Sequence, residues 1–422
     1  MNHFNFFILL CLITALASFI NFKYLKLPKS IGLTIISVAL SLLVFTAIRF
    51  MPEFFSPIYH QLNSVDFKNL VLNGMLGYLL FASAMHLNVM DLRKHFIAIS
   101  SLASIGVLIS TFIIGTIAWI LAPYIIHAQV PYVVCLLVGA ITSPTDPIAV
   151  FAVFKTNKNI PLDTKTRIAG ESMFNDVAAI VLVAILVSIA FPGQNIQPTF
   201  GNIIILILRE GAGGVLLGLL IGFIGDWFMR QTDDGQTLII LSLALVSAGF
   251  WLAQSLNVSG PLTMVMTGII IGNSKRKLEQ SKRATMTLSH FWEIIDELLN
   301  AFLFVLIGIE ILEMKFSIAL IIAGSIGFIV TIFARYISVF IPMLLIERKI
   351  DARFWKNNLI MTWGGLRGGI SIALALSIPY GNNQYVSVTF STIYLTVLLS
   401  ILVQGSTFKL LLDKVYNKDS IQ

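Results

Sequence analysis

The chain has 422 residues, 57% of them hydrophobic and only 12% charged, with a mean hydropathy of +0.89. This composition excludes a soluble globular fold and describes an all-α polytopic membrane protein, in which counting domains by length has no meaning. The formal net charge of +7 is accounted for by loop lysines and arginines facing an anionic leaflet and calls for no nucleic-acid partner.

Apolar runs of about 17 to 25 residues or longer mark membrane-crossing segments. In chain order they fall at 5 to 22, 31 to 51, 69 to 87, 96 to 122, 132 to 154, 168 to 191, 202 to 229, 237 to 256, 258 to 272, 291 to 312, 316 to 346, 357 to 379 and 386 to 411. That makes about thirteen. The ninth is short and interrupted by Ser259-Gly260-Pro261, so twelve or fourteen crossings stay open. Segment 1 lacks the basic flank of a signal peptide and reads as an uncleaved helix. Cys11 and Cys135 lie inside apolar segments, where neither a disulfide nor a metal site is expected.

Positive charge alternates with the crossings. It follows segment 1 (Lys23, Lys26, Lys29), segment 3 (Arg93, Lys94), segment 5 (Lys155, Lys158, Lys165, Arg167) and segment 7 (Arg230). It follows segment 9 (Lys275, Arg276, Lys277, Lys282, Arg283), segment 11 (Arg348, Lys349, Arg353, Lys356) and segment 13 (Lys409, Lys414, Lys418). The opposite loops hold only Lys68 and Lys315. The positive-inside rule therefore places the N-terminus outside and the C-terminus in the cytoplasm of a multi-pass protein of the cell membrane.

Charge inside a span costs at least about 2.5 to 3.5 kcal/mol on insertion scales and is retained mainly for pathways, pairs or ligands. Segment 5 reads GAITSPTDPIAVF from 139 to 151. Pro144 and Pro147 each remove an N–H and clash with the carbonyl four residues back, freeing the carbonyls of Ala140 and Ser143 and breaking the helix. Irregular backbone at membrane depth is tolerated only where protein buries it or it lines a watered cavity. Asp146, the hydroxyls of Thr142, Ser143 and Thr145, and the freed carbonyls are hard oxygen donors suited to a small cation. Segment 6, GESMFND at 170 to 176, is expected to start from Asp163 or Thr164 as N-cap. Residues four apart share a face, so Glu171 stacks with Asn175 and Ser172 with Asp176.

Lower expectations attach to other charges. Arg209 and Glu210 in segment 7 are read as pairing with acids or bases on other helices. Glu293, Asp296 and Glu297 open segment 10 either as a cation-attracting funnel or as charges favoured at a helix start. His86 and His95 are read as solvated. Segment 12, MTWGGLRGGISIALAL at 361 to 376, sets Arg367 between two glycine pairs that permit unwinding. Breaks at corresponding positions of two halves point to inverted repeats with a site at the midplane. Segments 1 to 6 and 8 to 13 are then the repeats, segment 7 the linker, and segments 5 and 12 the broken crossing pair.

At these residues the chain resembles the sodium/proton antiporters of the monovalent cation:proton antiporter-1 family, the branch of NhaP-type proteins and NHE exchangers. TSPTDP, GESMFND and WGGLRGG match in order and spacing along nearly the whole hydrophobic chain. The resemblance implies that Asp176 binds the ion and the proton in turn, with Asp146, Ser172 and the Thr145 carbonyl as further ligands of Na+. It implies that Glu171 pairs with Arg367 while holding Asn175. It further implies a homodimer, in which segments 1–3 and 8–10 form the dimer scaffold and segments 4–6 and 11–13 the ion-translocating core. Exchange would be electroneutral and one-for-one, serving pH and sodium homeostasis, with Na+ and H+ as cargo and no ATP or redox cofactor. One departure stands out: Ala82, in LLFASAMHL at 79 to 87, occupies a position where many members carry glutamate.

Other classes remain as alternatives. An intramembrane aspartyl protease would also need two aspartates on facing helices, but neither Asp146 nor Asp176 sits in a GxGD sequence, and GESMF lacks the second glycine of a serine elbow. A K+/H+ exchanger or a cation channel is the stronger rival.

Overall fold

The computed structural model describes residues 3–51, 53, 66–125, 127, 129–156, 160–191, 200–274, 282–313, 317–347, 350–378 and 384–416. The basic residues Lys158, Lys275, Arg276, Lys277, Lys315, Arg348, Lys349 and Lys418 of the charge count lie outside them. Among the described residues the regular structure is helical throughout, with no strand. Among these same residues, eight helical stretches are long and apolar enough to cross a membrane.

In chain order the helices include α1 (Lys29–Phe50), α2 (Leu76–Met85), α3 (Val107–Ile125) and α4 (Tyr132–Thr142). Then come α5 (Ile148–Thr156), α6 (Leu162–Ala190), α7 (Gly235–Ser255) and α8 (Gly260–Gly272). The last third holds α9 (Lys282–Ile309), α10 (Ile318–Glu347), α11 (Ala352–Trp363), α12 (Gly369–Leu376) and α13 (Gln384–Leu399). Segment 5 is thus α4 and α5 with residues 143 to 147 between them, and segment 12 is α11 and α12 with 364 to 368 between.

Both interruptions have local causes. The Pro147 carbonyl accepts from the Phe151 N–H at 2.8 Å and opens α5, while Pro144 and Pro147 themselves have no N–H to extend α4. At the other break Gly364 and Gly365 close α11 onto the carbonyls of Ile360 and Thr362, and Gly368 is extended at φ −119° and ψ −170° before α12 begins. Asp351 caps α11 by accepting from the Phe354 N–H at 2.7 Å.

The bundle packs α1 on α9, α2 on α8, α3 on α4 and α10, α6 on α4, and α10 on α13. The largest apolar cluster joins Leu137 and Ile141 of α4 to Val305 of α9, Ile372 of α12 and Val397 of α13. It clamps the two broken segments from one side. Ala82 is fully buried in a separate cluster with Phe81, Met85 and Trp292, so the position is filled by packing.

Three readings need correcting. Helix α6 starts after Pro161 with no side-chain cap, because Asp163 is engaged elsewhere: it accepts from Lys94 and meets His95 Nε2, both at 3.1 Å. His95 is therefore buried, 7% exposed, and is not solvated. Arg209 also differs, since its guanidinium donates to the Leu256 carbonyl at 3.1 Å, which terminates α7. Cys11 and Cys135 are free thiols.

Candidate functional site: the crossing of the two broken helices

The two interruptions meet backbone to backbone: the Asp146 N–H donates to the Leu366 carbonyl at 2.7 Å. Each stretch has given up its own helical bonds, and the crossing supplies one of them in exchange. The approach is close enough that a Cβ built on Gly368 would fall on the Asp146 carboxylate, and one on Gly365 would lie 2.6 Å from Arg335 Nε. Glycine is needed at both places for want of space. Gly368→Ala is accordingly expected to displace Asp146 and to remove most sodium-driven proton flux in proteoliposomes; flux equal to wild type would show that the carboxylate tolerates another position.

Helix α6 lies against the first break and holds Thr145 from two sides. The Ser172 hydroxyl donates to the Thr145 carbonyl, the Asn175 amide donates to Thr145 Oγ1 at 2.9 Å, and the Asn175 carbonyl oxygen accepts from the Thr145 N–H at 3.4 Å. Asp146 turns back on its own strand, accepting from the Ile148 N–H at 2.9 Å. Asp176, one turn beyond Ser172 on the same face, is buried at 8% exposure. Asp176, Asp146, Ser172, Thr145 and Asn175 are thereby brought together in one place.

Arg367 and Glu171 do not meet as expected. Arg335 of α10 grips Glu171 with both guanidinium nitrogens, Nη1 to Oε1 and Nη2 to Oε2 at 2.8 Å, and it also donates to the Met361 carbonyl at 3.2 and 3.3 Å. The pair is buried, at 1% exposure for Glu171 and 5% for Arg335. Arg367 instead donates to the carbonyls of Ser143 and Pro144, the latter at 3.1 Å, while its backbone N–H is held by Ser400 Oγ at 3.0 Å. One of the two carbonyls that proline chemistry frees, that of Ser143, is thus already occupied by a guanidinium. Arg367 stabilises the broken backbone, and Arg335 neutralises the carboxylate beside it. Glu171 holds Arg335; Asn175 is held by Thr145.

The arrangement offers two carboxylates and a pinned, irregular strand with hydroxyl and carbonyl oxygens, donors of the hard type that alkali cations take. A profile of the family described as sodium/hydrogen exchanger, transmembrane, matches residues 8–414. The chain belongs to the sodium/hydrogen exchanger family. Among curated members of related name, the Na(+)/H(+) antiporter NhaP of Pseudomonas aeruginosa is 38% identical over 413 residues, 96% of this chain and 95% of that protein. The Na(+)/H(+) antiporter NhaH of Halobacillus dabanensis is 29% identical, covering 93% of each. The sodium proton antiporter MjNhaP1 of Methanocaldococcus jannaschii shares the fold, with a TM-score of 0.73 at 21% identity over 99% of this exchanger and 100% of that chain. The exchanger family is one of transporters, which sets the protease alternative aside.

Proposed function

We propose that this protein is a secondary antiporter that exchanges sodium ions for protons across the cell membrane and that Asp176 carries both, in turn. The observation that supports the reading best is Asp176 itself, a buried carboxylate one turn from Ser172, with Thr145 pinned in an open strand and Asp146 beside it. Burial disfavours the charged carboxylate, so the group is neutralised either by a proton or by a cation. Each occupant expels the other. Asp146, Ser172 and the Thr145 carbonyl complete the cation's oxygen shell, and the Ser172 hydroxyl turns its hydrogen away from that carbonyl when the ion arrives.

A loaded site moves and an empty, charged one does not. The core of segments 4–6 and 11–13 shifts against a scaffold of segments 1–3 and 8–10, which a second copy of the chain completes as a homodimer. Thirteen crossings with the N-terminus outside and the C-terminus in the cytoplasm agree with the alternation of basic loops. Dequenching of a pH dye in proteoliposomes, with sodium, lithium and potassium presented in turn, tests the exchange. Proton movement driven by sodium carries the reading, response to potassium alone makes the protein a potassium exchanger, and bulk conductance makes it a channel.

One carboxylate exchanging one sodium for one proton moves no net charge. The membrane potential, which contributes about 2.3 kcal/mol per elementary charge per 100 mV, then has no leverage on the equilibrium. In vesicles clamped with potassium and valinomycin, the sodium gradient that balances a fixed pH gradient is expected to stay constant as voltage is varied. A balance point that moves by the amount for one charge per cycle would bring Asp146 into the titrating cycle and overturn one-for-one exchange.

A further inference from the structure

Helix α9 presents a row of side chains, polar at its first two positions, that the exchange site does not use. Asp296, Asn300 and Leu303 lie at i, i+4 and i+7, hence on one face, spanning about 10 Å at 1.5 Å per residue. At the far end of the row, a Cβ on Gly369 would fall on the Leu303 side chain, and the neighbouring Gly368 abuts Asp146. At the near end, toward the start of α9 where Lys282 and Arg283 mark the basic side of the bundle, Lys29 pairs with Glu297. The row therefore leads from the basic-loop end of the bundle to the helix crossing.

The side chains of this row are arranged as a site. Asn300 is 5% exposed and directs its amide at Asp296, Nδ2 donating to Oδ1 at 3.1 Å. Its carbonyl oxygen is buried with no hydrogen-bond partner among the described residues. An acceptor buried without a partner costs about 1 to 3 kcal/mol, and beside a carboxylate the partner that offsets this cost best is a cation. Across from them, Ser83 Oγ of α2 lies 3.5 Å from Asp296 Oδ1. The next residue back is Ala82, where the resemblance leads one to expect an acid on α2; here the acid near that helix comes from α9.

We propose that Asp296, the Ser83 hydroxyl and the Asn300 carbonyl oxygen, brought round by a turn of the amide that now donates Nδ2 to Asp296, form a second sodium site, a waystation on the cytoplasmic approach to Asp146 and Asp176. One carboxylate and two neutral oxygens give a weak site of low charge. Such a site loads from solution and releases inward as the central carboxylates become available. It concentrates the cation at the mouth of the crossing, and it rests on the reading of this protein as a sodium/proton exchanger.

The test uses the full-length protein in detergent and radioactive sodium as the sole probe, in an Asp176→Asn background that disables the central carrier. Sodium binding that persists in this background, is lost on adding Asp296→Asn and weakens about tenfold on adding Asn300→Leu, in line with losses of a metal site's supporting groups, carries the proposal. Asn300→Leu leaves every charge in place, so it separates coordination from simple attraction. Absence of residual binding in Asp176→Asn, or binding that neither added substitution changes, overturns the second site. In the otherwise wild-type transporter, Asn300→Leu should raise the KM for cytoplasmic sodium about tenfold if binding is coupled to transport; an unchanged KM also overturns it. Failure of the exchange reading has a different signature, since it would appear as an absence of sodium-driven proton flux in the wild-type protein, whatever its sodium binding.

Discussion

Replacing Asp176 with asparagine is expected to abolish sodium-driven proton flux while leaving the protein folded. The amide preserves the shape of the side chain, so the packing of α6 against the broken strand and the bonds of Ser172 and Asn175 to Thr145 survive. What disappears is the choice between two neutralised states. An amide neither takes up the proton nor supplies the negative charge that offsets the desolvation of a sodium ion, a cost of several kcal/mol for a charge moved away from water. The measurement is dye dequenching in proteoliposomes alongside a melting curve in detergent. Flux above the empty-liposome baseline in a variant of wild-type stability would sink Asp176 as the carrier. The same experiment on Asp146→Asn is graded: with Asp176 intact the cation loses one ligand, so a raised KM and residual flux are expected.

Much of the site was legible because its chemistry is written locally. Two prolines flanking Asp146 can only interrupt a helix, and the four-residue spacing of Ser172 and Asp176 fixes a shared face whatever the surroundings. Paired glycines around Arg367 likewise announced a second irregular stretch. Contacts between segments far apart in sequence were a different matter. Glu171 had four intramembrane arginines to choose from (Arg49, Arg209, Arg335 and Arg367), and nothing local ranks them. The structure gives it to Arg335 because Arg367, inside the crossing itself, is satisfied by the carbonyls of Ser143 and Pro144. That outcome follows from a rule applied only halfway: the carbonyl freed at Ser143 needed a donor, and the nearest strong donor in an opposing broken helix is Arg367. His95 was misread for a similar reason. A histidine beside a loop looks solvated until α6 brings Asp163 and Arg167 against it.

The Glu171–Arg335 pair makes the largest expected contribution to stability of any single contact at the site. Both groups are almost fully withdrawn from solvent, and the bonding is two parallel N–H to oxygen contacts, the strongest form of the interaction. Removing one partner leaves an uncompensated charge in a medium that cannot solvate it, at a cost of about 3 to 5 kcal/mol. Arg335→Met should therefore lower the melting temperature in detergent well below wild type, and the Met361 carbonyl, which loses its donor as well, adds to the loss. Glu171→Leu alone should also destabilise, because it leaves the guanidinium with only that carbonyl. Combining the two substitutions removes both charges, and a buried pair replaced by apolar groups of similar volume is often neutral or stabilising, so the double variant should recover most of the lost stability. This reversal distinguishes a charge-compensating pair from two independently packed side chains, whose losses would add. A melting temperature for Arg335→Met equal to wild type, or a double variant as unstable as the sum of the singles, would show that the pair does not hold α6 to α10.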